Sequence, residues 1–447
     1  MAGKVNSLIG RLLQRGALAR WATAARKAPY AELESLRKQR HRARRLRALL
    51  DELTYVANCI LAQGGAVRSM DVSVLGDPKH PTDYSKHDVA TEGSSNIQTA
   101  IECGNENTAM QIMAKGASAL AARLHREGAI DGVIVLGGTM GTDLALDLCN
   151  ALPLGVPKYI VSTVSFSAML PPERIAADVQ MILWAGGLYG LNSVCKSSLS
   201  QAAGAVLGAA RAAEPPKFDR PLIGMTSFGK TVLRYMVSLK PALEARGYEV
   251  AVFHATGMGG RAFESLAAQG AFACVMDFAT QEVGNHLFGS GITAGADRMI
   301  NAGLNGTPQM IAPGCYDLVD LVGWHPVPEQ LKDHPTHAHN RLLSSVMLTA
   351  TERETLARVM MEKLATAKGP TIFLLPTGGC NEWDRPGADL HDAAGLKAFC
   401  AEIQDAAASN ISLKVLDTHI NDAAFTDAVL AQFDRWVTEG IVPRGAS

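Results

Sequence analysis

Aromatic residues are scarce in this 447-residue chain, at 6% of the total, and none of its eight cysteines forms a C-x-x-C pair. Without such pairs, neither a zinc knuckle nor a dithiol redox motif is expected. The cysteines stand singly, several inside apolar runs such as "AFACVMDF", which suits buried thiols in a reducing cytoplasm. No apolar run approaches the roughly 20 residues of a membrane-spanning helix, so no membrane partner is expected. Acidic residues are missing before Glu32. Residues 1–48 carry 13 Lys and Arg against 2 Glu, whereas the remainder carries 29 basic against 41 acidic residues. A basic arm on an acidic body suits nucleic acid, an anionic membrane surface or a targeting segment, and equally an appendage with no folded role. "RKQRHRARRLR" and its flanks do not interleave aromatics with the charges, which argues against specific RNA recognition.

What the chain has in quantity is glycine, 42 residues, within an ordinary balance of 47% hydrophobic and 19% charged residues. Its length exceeds what one core usually serves, so two domains are expected. After residue 50, helical stretches alternate with short apolar strands. Residues 52–62 read as a helix, 66–74 as a strand, and 105–127 as a helix with Ala109, Ile112, Met113, Ala117, Leu120 and Leu124 on one stripe. "GVIVL", "PKYIVST" and "VQMIL" read as strands, and an Ala-rich helix runs from about Asn192 to Ala213. "AAEPPKFDRP" marks a boundary by its adjacent prolines and lack of periodicity. Beyond it the strands are "LIGMT", "EVAVFHA", "ACVMDF", "QMIA", "TIFLL" and "SLKVLD". This rhythm predicts an α/β fold with two Rossmann-like, doubly wound domains and mainly parallel sheets. The expected organisation is a basic arm at 1–50, a first α/β domain at 51–213, a linker at 214–220 and a second α/β domain at 221–440.

Parallel sheets bind ligands where strands end and helices begin. Glycine-rich turns stand at three such points: "GGTMGTD" (137–143), "TGMGGR" (256–261) and "PTGG" (376–379). Glycine lets backbone approach a ligand, and helix-opening N–H groups favour anions, so a phosphate- or carboxylate-bearing small molecule is expected. "GMTSFGKT" (224–231) matches the P-loop pattern G-x-x-x-x-G-K-[ST]. Its strand is expected to run through Gly224 and Met225 to Thr226, leaving too short a turn for a phosphate cradle. Lys230 then stands near a helix start. His254 ends a strand beside a glycine loop, and Asp417, His419, Asn421 and Asp422 follow the last strand. These are acid–base candidates, with helix capping by Asn421 or Asp422 as the competing role. "HPTHAHN" holds His334, His337 and His339 without partnered carboxylates and reads as a polar loop; no metal site is expected.

"DGVIVLGGTMGTDLALDLCNALPLGVPKYIVST", "RPLIGMTSFG", "LEARGYEVAVFHATGMGGRAFESL", "INAGLNGTPQM" and "VLDTHINDAAFTDAV" resemble the ATP-binding domain family of the tomato mosaic virus resistance protein. That family is largely uncharacterised in bacteria. The likeness covers about residues 52–436. It implies two Rossmann-like domains, homodimers or higher homo-oligomers, and ATP as ligand, with Mg2+ accompanying the nucleotide. Residue by residue, Gly137, Gly138, Gly141 and Thr142 match the family's first glycine loop, with Met140 in place of a glycine. Ser162 and Thr163 match the next strand end. Thr256, Gly257, Gly259, Gly260 and Arg261 match the second-domain loop, and "DTHIND" matches near the C-terminus. Lys230 stands where the family tends to have Val. The family's opening strand and "GTxDTKGEE"-like turn, expected to contribute to phosphate binding, have no counterpart before Asp51.

The expected function is nucleotide (ATP) binding in a cleft between two α/β domains, with catalysis left open. The alternative is a metabolic enzyme acting on a small phosphorylated or carboxylated substrate, with His254, Asp417 and His419 as acid–base groups. A third class is a binding module whose basic arm engages nucleic acid.

Overall fold

The computed structural model describes residues 51–76, 82–187, 190–214, 216–217, 219–229 and 232–446. The basic arm, and Lys230 and Thr231 of the P-loop-like octapeptide, lie outside the described residues. The chain divides into two compact units, one ending at Pro216 and the other beginning at Lys217. The architecture is α/β with mainly parallel sheets, of Rossmann-like type.

The first unit runs α1 (51–62), α2 (Lys86–Glu92), α3 (Ile97–Glu102), α4 (Glu106–Arg126), β1 (Val133–Gly137), α5 (Thr139–Asn150), β2 (Lys158–Ser162), β3 (Val179–Leu183) and α6 (Ser193–Ala212). β1, β2 and β3 form a parallel sheet in that order, with Gly137 opposite Ser162. α4 begins on Asn105, whose side chain accepts from the N–H of Thr108, and ends on a basic turn that suits its dipole. Its buried stripe follows the expected one except at Ile112, which is half-buried, while Met110 turns inward. A Cβ on Gly116 would lie 1.9 Å from the carbonyl oxygen of Val89, so the α2–α4 crossing requires glycine there. Within the expected strand at 66–74, Arg68 is in strand conformation and Met70 bridges to Tyr84, while Val67, Met70 and Val72 are fully buried.

The second unit contains β4 (Leu222–Ser227), α7 (Arg234–Glu244), β5 (Glu249–His254), α8 (Met258–Ala268), β6 (Cys274–Asp277), α9 (Gln281–Leu287), α10 (Asn301–Leu304), β7 (Gln309–Ile311), β8 (Leu318–Val322), β9 (Thr336–Ala338), β10 (Leu343–Met347), α11 (Ala350–Ala365), β11 (Thr371–Pro376), α12 (Ala393–Ala406), β12 (Ile411–Leu416) and α13 (Ala423–Thr438). Six parallel strands stand in the order β5-β4-β6-β7-β11-β12. The chain leaves β4 toward one edge and returns to build the other, so the order reverses between β4 and β6. β8, β10 and β9 form a separate antiparallel sheet that includes part of the expected polar loop "HPTHAHN". The short, polar β9 carried too little apolar pattern to be read as a strand.

Each unit buries its own core. In the second, Ile372 and Leu374 of β11 enter one cluster with α13, while Phe373 and Leu375 enter another with α11 and α12. Burial on both faces explains why this strand reads as a continuous apolar run. All eight cysteines are free thiols, and six are buried.

Candidate functional sites at the strand ends

In the first unit, "GGTMGTD" turns from β1 into α5. A Cβ on Gly137 would lie 2.6 Å from Gly141 Cα, so close strand–helix packing demands this glycine. Gly138 occupies the N-cap of the 12-residue α5 and offers no side-chain acceptor to the helix's first N–H groups. Thr142 donates its hydroxyl to the carbonyl of Gly138 at 2.7 Å and lies 2.6 Å from Ser162 Oγ. Ser162 Oγ in turn accepts from the N–H of Val164, and the N–H of Thr163 donates to Gly137. Thr142 and Ser162 are fully buried and brace the helix start against the end of β2. Thr139, in the first turn, is exposed.

The second glycine loop is built differently. Gly257, at φ +82°, precedes α8, and its N–H donates to Glu282 Oε1 at 2.5 Å. The N–H of Gly260 donates to the same oxygen at 3.2 Å. A Cβ on Gly260 would fall 1.8 Å from Glu282 Oε2, and one on Gly259 would fall 1.7 Å from the carbonyl of His254. The helix start that resembles an anion cradle therefore holds the protein's own carboxylate. Arg261 pairs with Asp297 at 2.8 Å.

Glu282 belongs to a buried ionic cluster. Arg298 is inaccessible to solvent, and all five of its N–H donors find acceptors. Nε donates to Glu282 at 2.8 Å, Nη1 to Glu264 and Asp277, and Nη2 to Asp277 and the carbonyl of Ala279. Burial pushes Glu282 up to about 7, against the pull of Arg298 and the loop amide of Gly257. Asp277 also accepts from Thr226 at 2.7 Å, and Thr226 Oγ1 receives the N–H groups of Phe278 and Ala279. These bonds fasten the ends of β4 and β6 together where the strand order reverses, the place where such sheets ordinarily bind ligands.

His254 closes the turn after β4. Its Nε2 accepts from the N–H of Gly229 at 3.2 Å, which leaves Nδ1–H to meet Thr256 Oγ1 at 3.2 Å. β4 runs through Gly224 to Ser227, so the described part of the octapeptide, Gly224 to Gly229, contributes a strand end and the beginning of a turn. His419 is likewise engaged on both ring nitrogens. Nδ1 accepts from the N–H of Asn421 at 3.0 Å, and Nε2–H points at the carbonyl of Asn381 and Asp384 Oδ1. Asp422 holds the N-cap position of α13 without a side-chain cap bond and instead accepts from Arg385 at 3.0 Å. Asp417 is exposed. Asn381 passes the network inward to Asp317, whose carboxyl burial raises although Arg353 opposes it. Among the described residues no group of three or more His, Cys, Asp or Glu side chains is arranged to hold a metal ion. No described helix is long and apolar enough to cross a membrane.

Two family profiles match nearly all of the chain after the basic arm. "Uncharacterised protein family (UPF0261) N-terminal domain" matches residues 48–215, and the corresponding C-terminal domain matches residues 220–437. The chain belongs to the UPF0261 family. A UPF0261 protein of Brucella melitensis biotype 1 is 54% identical over 395 residues, which span 88% of this chain and 94% of that one. One from Clostridium tetani is 33% identical over 85% of this chain and 94% of its own. The tomato (Solanum lycopersicum) ToMV resistance protein Tm-1 is 31% identical over 333 residues, 73% of this chain and 44% of the tomato protein.

Within the UPF0261 frame, the structure brings together residues that spacing did not single out. Arg298 and Glu264 lie 34 residues apart and meet only through the fold. Glu282 and Gly257 lie 25 residues apart and likewise meet only through the fold. Ser345 and Asp320, on neighbouring antiparallel strands, carry no motif.

Proposed function

We propose that this UPF0261 protein binds a nucleotide, ATP, whose phosphates lie against the start of α5 at Gly138–Gly141, with Mg2+ accompanying the nucleotide. The observation that carries this reading is the cap of α5. A helix of three turns opens on a glycine with no side-chain acceptor, at the carboxyl end of a buried parallel strand. Helix-opening N–H groups and the positive end of the helix dipole favour phosphate oxygens. Gly137 lets the helix start sit close on the strand. Thr142 and Ser162 hold it in place, and Thr139 and Thr163 supply polar groups on the open side. Bound ATP would bring a phosphoryl group; the chain's own part is to bind and orient it.

The test is calorimetric titration of the full chain with ATP, with and without Mg2+, repeated on Gly138→Asp. Gly138 has φ −81°, a conformation open to any residue, and Asp there supplies an internal acceptor and a repelling charge. The variant is expected to lose ATP binding while keeping its stability or gaining about 0.3 kcal/mol. Equal affinity in the variant would remove the nucleotide from this loop, and no binding by the natural chain would remove the reading. Self-association as a homodimer or higher homo-oligomer completes the proposal, checked by sedimentation velocity. A cytoplasmic location is supported by the eight unpaired cysteines.

A further inference from the structure

A chain of three side chains in the second unit leads from a half-buried imidazole to a buried carboxylate. His339 Nε2 lies 3.2 Å from Ser345 Oγ, and Ser345 donates its hydroxyl to Asp320 Oδ1 at 2.6 Å. Asp320 is fully buried and fixed from the other side by Asn285. The amide of Asn285 donates to Oδ2 at 3.3 Å, and its oxygen accepts from the N–H of Asp320 at 2.7 Å. Strand pairing sets the spacing, since Ser345 of β10 stands opposite Asp320 of β8 on one side and His337 of β9 on the other.

The donors and acceptors decide the tautomer. Ser345 has one hydroxyl hydrogen, and an ionised Asp320 accepts only, so that hydrogen goes to Asp320. Ser345 can then only accept from the ring, and His339 must carry its hydrogen on Nε2. The lone pair is left on Nδ1, which has no hydrogen-bond partner among the described residues. This sets His339 apart from His254 and His419, whose ring nitrogens are all engaged.

The surroundings of His339 are rings. Trp383 lies 4.7 Å from it and His337 lies 5.2 Å away; both are half-buried, and their rings pack on each other at 4.3 Å. Phe228 backs the group at 6.2 Å and connects it to His254 at 5.8 Å. Burial and the neighbouring His337 both lower the affinity of His339 for a proton.

We infer that His339 is a general base for a flat aromatic or heteroaromatic ligand bearing an acidic O–H or N–H, with Ser345 and Asp320 as positioning residues. In the step, the ligand's O–H or N–H bond breaks, its proton moves to Nδ1, and the electron pair stays on the ligand. The imidazolium so formed keeps Nε2–H on Ser345, whose hydroxyl dipole is aligned by the Asp320 charge. Return of the proton from Nδ1 reverses the step, and no oxidant or second reactant is consumed. The inference uses second-unit residues alone and does not rest on nucleotide binding.

The experiment uses the full chain and 4-nitrophenol, whose phenolate absorbs visible light and whose ring can quench Trp383. On binding, the phenolate band is expected to grow while tryptophan fluorescence falls. His339→Gln should lower the band at least about tenfold. Ser345→Ala should keep the fluorescence midpoint but lose most of the band, and Ser345→Thr should restore it. Nitrogen-15 NMR of the ligand-free chain should place the His339 hydrogen on Nε2. Nδ1–H in that spectrum, an unchanged band in His339→Gln, or no binding by the natural chain each overturns the inference.

Discussion

The backbone N–H of Gly257 donates to Glu282 Oε1 at 2.5 Å, and the N–H of Gly260 reaches the same oxygen. A loop whose glycines look made for a phosphate is thereby filled from within, by a carboxylate that Arg298 holds from behind. An external anion at this loop would have to displace a buried, hydrogen-bonded charge.

Removing that carboxylate should open the loop. Glu282→Ala is expected to destabilise the protein by about 3–5 kcal/mol, because Arg298 loses a buried partner. Inorganic phosphate should then raise the melting temperature of the variant more than that of the natural chain. Equal phosphate shifts in thermal denaturation would show that the vacated loop holds no anion.

Arg298 carries the larger load. Replacing it with Met leaves Glu264, Asp277 and Glu282 buried with no compensating cation. Loss of about 3–5 kcal/mol or outright failure to fold is expected. Urea unfolding followed by circular dichroism measures it, and a change under about 1 kcal/mol would contradict the cluster's role.

Gly260 should tolerate no side chain. Its added Cβ would sit 1.8 Å from Glu282 Oε2, and that carboxylate is locked by Arg298 and the loop amides. Gly260→Ala is expected to cost about 1–3 kcal/mol, read from the urea midpoint.

Stability should fall as pH rises from about 4 to 6. Burial lifts Asp320 from 3.8 to about 6, so in that window the folded chain holds a proton that the unfolded chain has released. The contribution is complete below the unfolded value and is lost as pH climbs through the folded one, with a ceiling of about 3 kcal/mol. Glu282, lifted to about 7, extends the same trend upward. Urea midpoints at successive pH values should show a shallower decline in Asp320→Asn. Identical slopes in variant and natural chain would refute the assignment.

The parallel strands of the second unit were legible because burial on both faces writes a continuous apolar run, as in Phe373, Leu374 and Leu375. β9 was not, because Thr336, His337 and Ala338 are half-buried or exposed and polar enough to pass for loop. The first glycine loop was legible as a strand-to-helix turn. What occupies the second was hidden, since Glu282 reaches the amides of Gly257 and Gly260 only through the fold. Likewise, the sequence shows His337 and His339 only as two residues apart. Only the pairing of β8, β10 and β9 revealed that one of them reaches Asp320 through Ser345.

The buried thiols give each unit a clock. Cys149 and Cys195 lie inside the first, and Cys274, Cys315, Cys380 and Cys400 inside the second. Burial pushes Cys149 up to about 12 and holds Cys380 well above its ordinary range, so neither offers a thiolate while its surroundings stay closed. An alkylating reagent therefore marks these sulfurs only when the chain around them opens, after it has reached the partly exposed Cys59 and Cys103. Mass-spectrometric timing of the labels would measure how often each half of the molecule breathes, separately and without any engineered probe.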